Sequence, residues 1–260
     1  MSTDHFLLAL QAYQEIQSEL QQEKHSLPIT ADMPASDPVA PLLDGSLLFG
    51  LAEDGLPVMF DLYDPAPGPL LVTGDGGCGK TAFLQSLARL SDVQNPGDVY
   101  FGVLTAFPDE WETLEAQSNC LGVWPSDHPS TLEFLSRMVN WAEALAESRQ
   151  IVLLLVDGLE MLAGSDYQVQ HHLRWLLMRG PESHIWPIVS TNSGQFSRLK
   201  TWPNYFQTCI LGHAKYPHGI RNLTGEPALP LADLQPGLQF VLSRPNGWLR
   251  FWLPPLTLFE

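Results

Sequence analysis

The segment Gly74-Asp75-Gly76-Gly77-Cys78-Gly79-Lys80-Thr81 constrains this chain more than any other. It follows a short apolar run, Leu70-Leu71-Val72-Thr73, and precedes a helix-forming stretch over 82–90, so it reads as strand, glycine-rich turn and helix start. Its spacing is G-x-x-x-x-G-K-[ST], the phosphate-binding loop. Each residue type has a reason. The glycines at 74, 76, 77 and 79 let successive N–H groups converge on one anion. A helix that begins at Lys80 adds the positive end of its dipole. Lys80 supplies a point charge for β- and γ-phosphates, and the Thr81 hydroxyl is placed to ligate Mg²⁺. The chain has four lysines, and one of them stands where the motif needs it. The alternative is a glycine-rich turn with no ligand, but the strand before and the helix after are the context that the motif requires. Gly74, Asp75, Gly76, Gly77, Cys78, Gly79, Lys80, Thr81 and Ala82 are therefore the expected nucleotide contacts, with ATP and Mg²⁺ the expected ligands.

A second piece lies downstream. Residues 151–156 form a continuous β-branched and aliphatic run, as expected of a central parallel strand covered on both faces. Asp157 directly follows it. An acid at the carboxyl end of such a strand is where open α/β sheets place ligand groups, and it is the Mg²⁺-side aspartate of a phosphate-loop NTPase. The alternative is an aspartate that caps the turn before Gly158. Fast ATPases of this layout usually carry a glutamate beside the aspartate to activate water, and here that position is Gly158. Glu160 is close enough to substitute, but it reads more simply as a surface carboxylate after the strand. Thr191-Asn192 follow a strand at 185–190 and offer a polar group to a γ-phosphate; a polar loop explains them equally well. The expected catalytic set is Lys80, Asp157 and Asn192, with Thr81 and Asp157 on the metal.

Composition excludes other classes. The chain carries 29 acidic against 13 basic residues, a formal charge of −16, which opposes nucleic acid because such binding rests on neutralising phosphates. No local basic patch offsets this. Cys78, Cys120 and Cys209 show no C-x-x-C spacing and suit a reducing compartment. No apolar run approaches the roughly 18 residues of a membrane span. Asp4 and Glu15 replace the basic start of a signal peptide, so a cytoplasmic protein without membrane insertion is expected. His171 and His172 are adjacent, point to different helix faces and cannot chelate as an i, i+4 pair.

Along the chain, 1–25 reads as an amphipathic helix with Phe6, Leu10, Tyr13, Ile16 and Leu20 on one face. Pro28, Pro34, Pro38 and Pro41 mark 26–45 as a linker, and the domain proper covers 46–260. Strands at 47–51 and 57–61 lead into the loop strand, and 99–105 is the next core strand. Residues 107–125 read as irregular, anchored by Trp111 and Trp124. A capping box, Ser130-Thr131-Leu132-Glu133, opens a helix. Another helix over 166–179 is stopped by Gly180-Pro181. Strands follow at 185–190 and 208–211, and 238–243 and 248–253 flank Arg244-Pro245-Asn246-Gly247 as a hairpin. The expected fold is α/β, a mostly parallel central sheet flanked by helices, with a C-terminal antiparallel hairpin.

These features resemble the FtsK/SpoIIIE/HerA branch of RecA-like P-loop ATPases, in particular the later, partly degenerate ATPase modules of the type VII secretion protein EccC. The segments that carry the likeness are Gly50-Leu51-Ala52-Glu53-Asp54-Gly55-Leu56-Pro57-Val58 ahead of the phosphate loop and its strand, then 151–157. Ile188-Val189-Ser190-Thr191-Asn192, Phe206-Gln207-Thr208-Cys209-Ile210-Leu211 and 237–254 add to it. The resemblance implies that the 185–190 strand lies between the loop strand and the 151–156 strand, which brings Asn192 to a sensor position. It also implies hexamers, or tandem modules in which an arginine enters the neighbour's site. The chain departs from the family at Gly158, where the glutamate is missing, and at Cys209, where an arginine is often found. The reading is an ATP-binding module that hydrolyses slowly or not at all, within a larger assembly of protein partners or copies of itself. The alternative is an active ATPase that translocates a polypeptide or DNA as an oligomer. A small-molecule kinase would need an arginine-rich lid, and 166–200 offers only Arg174, Arg179 and Arg198.

Overall fold

Neighbouring residues of the buried strands face opposite layers, and this alternation builds the core. In the strand Ile151–Asp157, residues Ile151, Leu153 and Leu155 enter one apolar layer while Val152, Leu154 and Val156 enter the other. A strand apolar on both faces must be central, because neither face can be left to water. The computed structural model describes residues 45–144, 150–216, 220, 229–245 and 247–253. The expected N-terminal helix (1–25) and, but for Gly45, the linker (26–45) lie outside the described residues.

The elements run β1 (Ser46–Ala52), β2 (Pro57–Asp61), β3 (Leu70–Gly74), α1 (Lys80–Gln94), β4 (Val99–Thr105), α2 (Glu112–Glu115), β5 (Cys120–Pro125) and α3 (Ser130–Ala144). They continue as β6 (Ile151–Asp157), α4 (Leu159–Ala163), α5 (Tyr167–Arg179), β7 (Ile185–Asn192), α6 (Phe196–Leu199), β8 (Thr208–Leu211), β9 (Gln239–Arg244) and β10 (Gly247–Trp252). All ten strands join one sheet in the order β2-β1-β10-β9-β8-β3-β7-β6-β4-β5. From β8 to β5 every pair is parallel; β9, β10, β1 and β2 are joined antiparallel. Helix α1 packs Phe83, Leu84 and Leu87 on one face, and α3 and α5 cover the other with Phe134, Leu135, Leu173 and Leu176. This is a RecA-like P-loop NTPase sheet with an antiparallel edge, and β7 lies between β3 and β6 as the family resemblance implies.

One expectation is corrected. Residues 107–125 are not irregular: they hold a short 3-10 turn (Pro108–Trp111), α2 and the edge strand β5. Strand β5 is hard to read because Gly122 interrupts it and Pro125 ends it, and all six of its residues are half-buried. Trp111 is fully buried, and Trp124 stacks on Phe134 with ring centroids 3.7 Å apart, so both tryptophans do anchor the segment. Strands β1 and β2 precede β3 in sequence but do not pair with it. They extend the sheet at its far side, where β1 pairs with β10 through Leu51–Trp252 and Ala52–Phe251. Burial of Phe49 against Phe60, Phe83 and Phe251 fixes that edge on α1.

The ends of α5 match their sequence signals. The Asp166 carboxylate accepts from Gln168 N (2.9 Å) and Val169 N (3.1 Å), a side-chain cap for α5, and Gly180 closes that helix. Helix α1 has no side-chain cap, and its first residue is Lys80. Its free N–H groups are left for another acceptor.

Candidate functional site

Three adjacent parallel strands, β8, β3 and β7, with β6 beside them, end on the same side of the sheet. Gly74 of β3 pairs in register with Asn192 of β7, and Asp157 of β6 pairs with Ser190. Residues far apart in sequence therefore meet at the carboxyl ends of the strands, which is where such sheets bind ligands.

Residues 75–79 form the turn between β3 and α1. Gly79 sits there with φ 96°, and a Cβ added to it would lie 2.6 Å from Gly237 Cα. Glycine is required on both counts. The Gly237 amide donates to Cys78 O (2.9 Å), which ties the segment before β9 to the loop. At Gly76 and Gly77 an added Cβ would meet nothing within 4 Å, so the crown of the loop is open to a ligand. Cys78 is buried beneath it; burial pushes its thiol up, against the opposing pull of the Lys80 ammonium. Ala82 is exposed on the first turn of α1.

The Lys80 ammonium donates to Asp75 O (2.9 Å), Gly74 O (3.3 Å) and Asn192 Oδ1 (2.9 Å), and lies 3.8 Å from Cys78 Sγ. Thr81 Oγ1 donates to Asp157 Oδ2 at 2.8 Å, and Ser190 Oγ donates to Asp157 Oδ1 at 2.7 Å. Ser190 also accepts from Gly158 N at 3.0 Å, so it holds the aspartate and the turn after it together. A hydroxyl beside a carboxylate is a donor set that suits Mg²⁺, which takes one or two protein oxygens and fills its shell with phosphate and water. Among the described residues no group of three or more His, Cys, Asp or Glu side chains could hold a metal by itself. The structure thus brings Lys80, Thr81, Asp157 and Asn192 together.

Asp75 is a hub that its place in the motif does not announce. Its carboxylate accepts from the Ser193 hydroxyl and from Lys215 N (2.8 Å), and its amide donates to His213 O (2.9 Å). Burial alone would push this carboxyl up; the Ser193 and Lys215 donors, with the charges of His213 and Lys80, outweigh it and hold the carboxyl below its usual value.

Glu160 is a correction. It is not a surface carboxylate: it is half-buried, and its Oε1 accepts from Asn192 Nδ2 at 2.9 Å while Oε2 is buried without a partner. The turn that brings it back is Gly158, at φ 108°, which starts α4 one residue later. A glycine in that position directly after a strand aspartate was the available signal, since it bends the chain so that the third residue on returns to the strand end. Ser190 and Ser193 carried no signal, because an isolated serine near a strand end is common.

Comparisons with known proteins agree with the fold. A family model described as the NACHT domain matches residues 68–202, just over half of the chain. Among solved structures, EssC (ATPases 2 and 3) from Geobacillus thermodenitrificans aligns with a TM-score of 0.67 at 16% identity, over 85% of this chain and 48% of that one. Thermomonospora curvata EccC (ATPases 2 and 3), in complex with a signal sequence peptide, gives 0.63 at 15%, over 87% of this chain and 42% of its own. The pCW3 conjugation coupling protein TcpA, in its monomer form with ATPγS, gives 0.64 at 13%, over 87% and 70%. This chain spans about half or less of the EssC and EccC chains. Its fold is that of the FtsK/EccC-like P-loop ATPases. No curated protein matches it.

Proposed function

The chain belongs to the NACHT domain family of P-loop NTPases, and from that premise we propose that it is an ATP·Mg²⁺-binding module with slow or no turnover, working inside a larger assembly. One observation carries the reading: the Lys80 ammonium at the mouth of the phosphate loop and the Thr81–Asp157 pair beside it (2.8 Å) offer a cation site next to an anion site. A triphosphate with its Mg²⁺ needs both. In this reading the amides of residues 76–82 cradle the phosphates, Lys80 meets the β- and γ-oxygens, and Thr81 and Asp157 hold the metal. Asn192 stands at the γ-phosphate end.

Slow turnover is inferred from the residues after Asp157. The first of them is glycine, and the nearby acid, Glu160, is engaged with Asn192. Cys209 is buried in β8, where the family resemblance would have an arginine, so this chain has no cation there to offer a neighbour. Assembly is supported by the family alone, with a protein or a further copy of this chain as the partner. The charge of −16 speaks against nucleic acid as cargo.

Steady-state hydrolysis of MgATP by the purified chain tests this. The expected turnover is below about 1 s⁻¹ per chain, the low end for enzymes, and it disappears in Lys80→Ala. Turnover of about 10 s⁻¹ or more, the enzyme median, would contradict it and favour the translocating ATPase.

A further inference from the structure

Beyond the end of β5 lies a cavity of about 440 Å³, between the start of α3 and the α4–α5 connection. Helix α4 stands between it and the nucleotide site: Glu160 turns to Asn192 on one side, while Met161, 45% exposed, lines the cavity on the other. The turn that leads into it is fixed, because Pro125 O accepts from Thr131 Oγ1 (2.7 Å) and His128 N (3.1 Å). Two helices, α3 and α5, begin at this cavity, but their first amides are taken. Those of Ser130, Thr131 and Leu132 donate to His128 Nδ1, His128 O and Pro129 O, and those of Gln168 and Val169 donate to Asp166 Oδ1. Acceptors are left over. Among the described residues Asp127 is exposed with no hydrogen bond or ion pair, and Asp166 keeps its Oδ2 free. Ser126, 4% exposed, holds a buried hydroxyl with no partner. Leu132, Met161 and Val169 give the cavity its apolar walls, and no Lys or Arg lines it. The surrounding limb is one-sided in charge: between Arg89 and Arg137 the chain carries eight Asp or Glu and no Lys or Arg. A basic surface is drawn to such a limb and an acidic one is turned away.

We propose that this cavity receives an arginine side chain from a protein partner with a basic surface. The stem lies along Leu132, Met161 and Val169, and the guanidinium takes the carboxylates of Asp127 and Asp166 and the Ser126 hydroxyl. Each feature selects that group. An anion would meet two carboxylates where the helix amides are already spent. A hydrated metal ion would leave the apolar walls in water, and among the described residues no group of three or more His, Cys, Asp or Glu suits one. A long side chain with a charged tip buries its stem on apolar surface and keeps its head among acceptors. Arginine does this best, because its planar fork of five donors engages several acceptors at once. The inference goes beyond the nucleotide reading and does not depend on it.

The test titrates the full chain, labelled with ¹⁵N, with arginine blocked at both ends as N-acetyl-arginine N-methylamide, and follows the amide shifts by NMR. Blocked citrulline, the same shape without the charge, is the control. The expected result is saturable binding with Kd on the order of 1 mM, shifts grouped at 126–132 and 161–169, and no binding of citrulline. Asp127 has no partner to lose, so Asp127→Asn should keep the fold and bind about fivefold to tenfold more weakly. Raising salt from about 0.05 M to about 0.5 M should weaken binding as well. Lys80→Ala should bind the blocked arginine as wild type does, whether or not it binds MgATP. Loss of binding there would mean that the arginine enters the nucleotide site, and would overturn the cavity. Shifts that do not saturate, equal binding of citrulline, or an unchanged affinity in Asp127→Asn would each overturn it too. Agmatine binding more than about tenfold tighter than the blocked arginine would overturn the partner, since the cavity would then suit a free amine rather than a side chain borne on a protein.

Discussion

At Gly79 the phosphate loop and the segment before β9 share one small volume. The loop needs a left-handed residue there, and Gly237 Cα leaves no room for a methyl group. Gly79→Ala should therefore destabilise the fold by about 1–3 kcal/mol in chemical unfolding and reduce MgATP affinity as well. A variant as stable as wild type would show that neither the turn nor the contact constrains this position. The loop's glycines, lysine and hydroxyl were easy to pick out because they are contiguous: eight adjacent residues specify the turn and set an ammonium and a hydroxyl beside it. Glu160 was not. Its partner is 32 positions away, and only the strand order brings them within 2.9 Å. The glycine at 158 redirects the chain after β6 and brings Glu160 back to the end of β7.

Among elements, Asp75 ties the end of β3 to the segments after β7 and β8, through Ser193 and Lys215. Because its native pKa is lowered, the ionised hub adds stability above the unfolded value of about 4, and that contribution is lost as pH falls through the lower native value. Thermal melting followed between about pH 5 and pH 3 should fall less steeply for Asp75→Asn than for wild type. Parallel curves would mean that the carboxylate does not tie the strands. Sequence patterns located β3, β4, β6 and β7 because a strand apolar on both faces can only be central. They could not place β1 and β2, whose neighbour β10 lies about two hundred residues on and is set by aromatic packing on α1. Edge strand β5 is the opposite case. All six of its residues are half-buried, so its sequence had no strong alternation to show.

At the scale of the whole molecule, the parallel half of the sheet carries the site and the antiparallel half widens it, burying Phe240 and Phe251 against α1. No helix among the described residues is long and apolar enough to cross a membrane. The acidic surface gives a triphosphate no general attraction, so affinity must come from the loop amides, Lys80 and a metal that offsets the surrounding carboxylates. Binding should accordingly need Mg²⁺ and a single lysine. Calorimetric titration of the intact chain with ATP, in the presence and absence of Mg²⁺ and beside Lys80→Ala, tests this most directly. The account predicts saturable one-to-one binding with Mg²⁺, much weaker binding without it and none in Lys80→Ala; no heat with MgATP, or equal heat from the lysine variant, would contradict it.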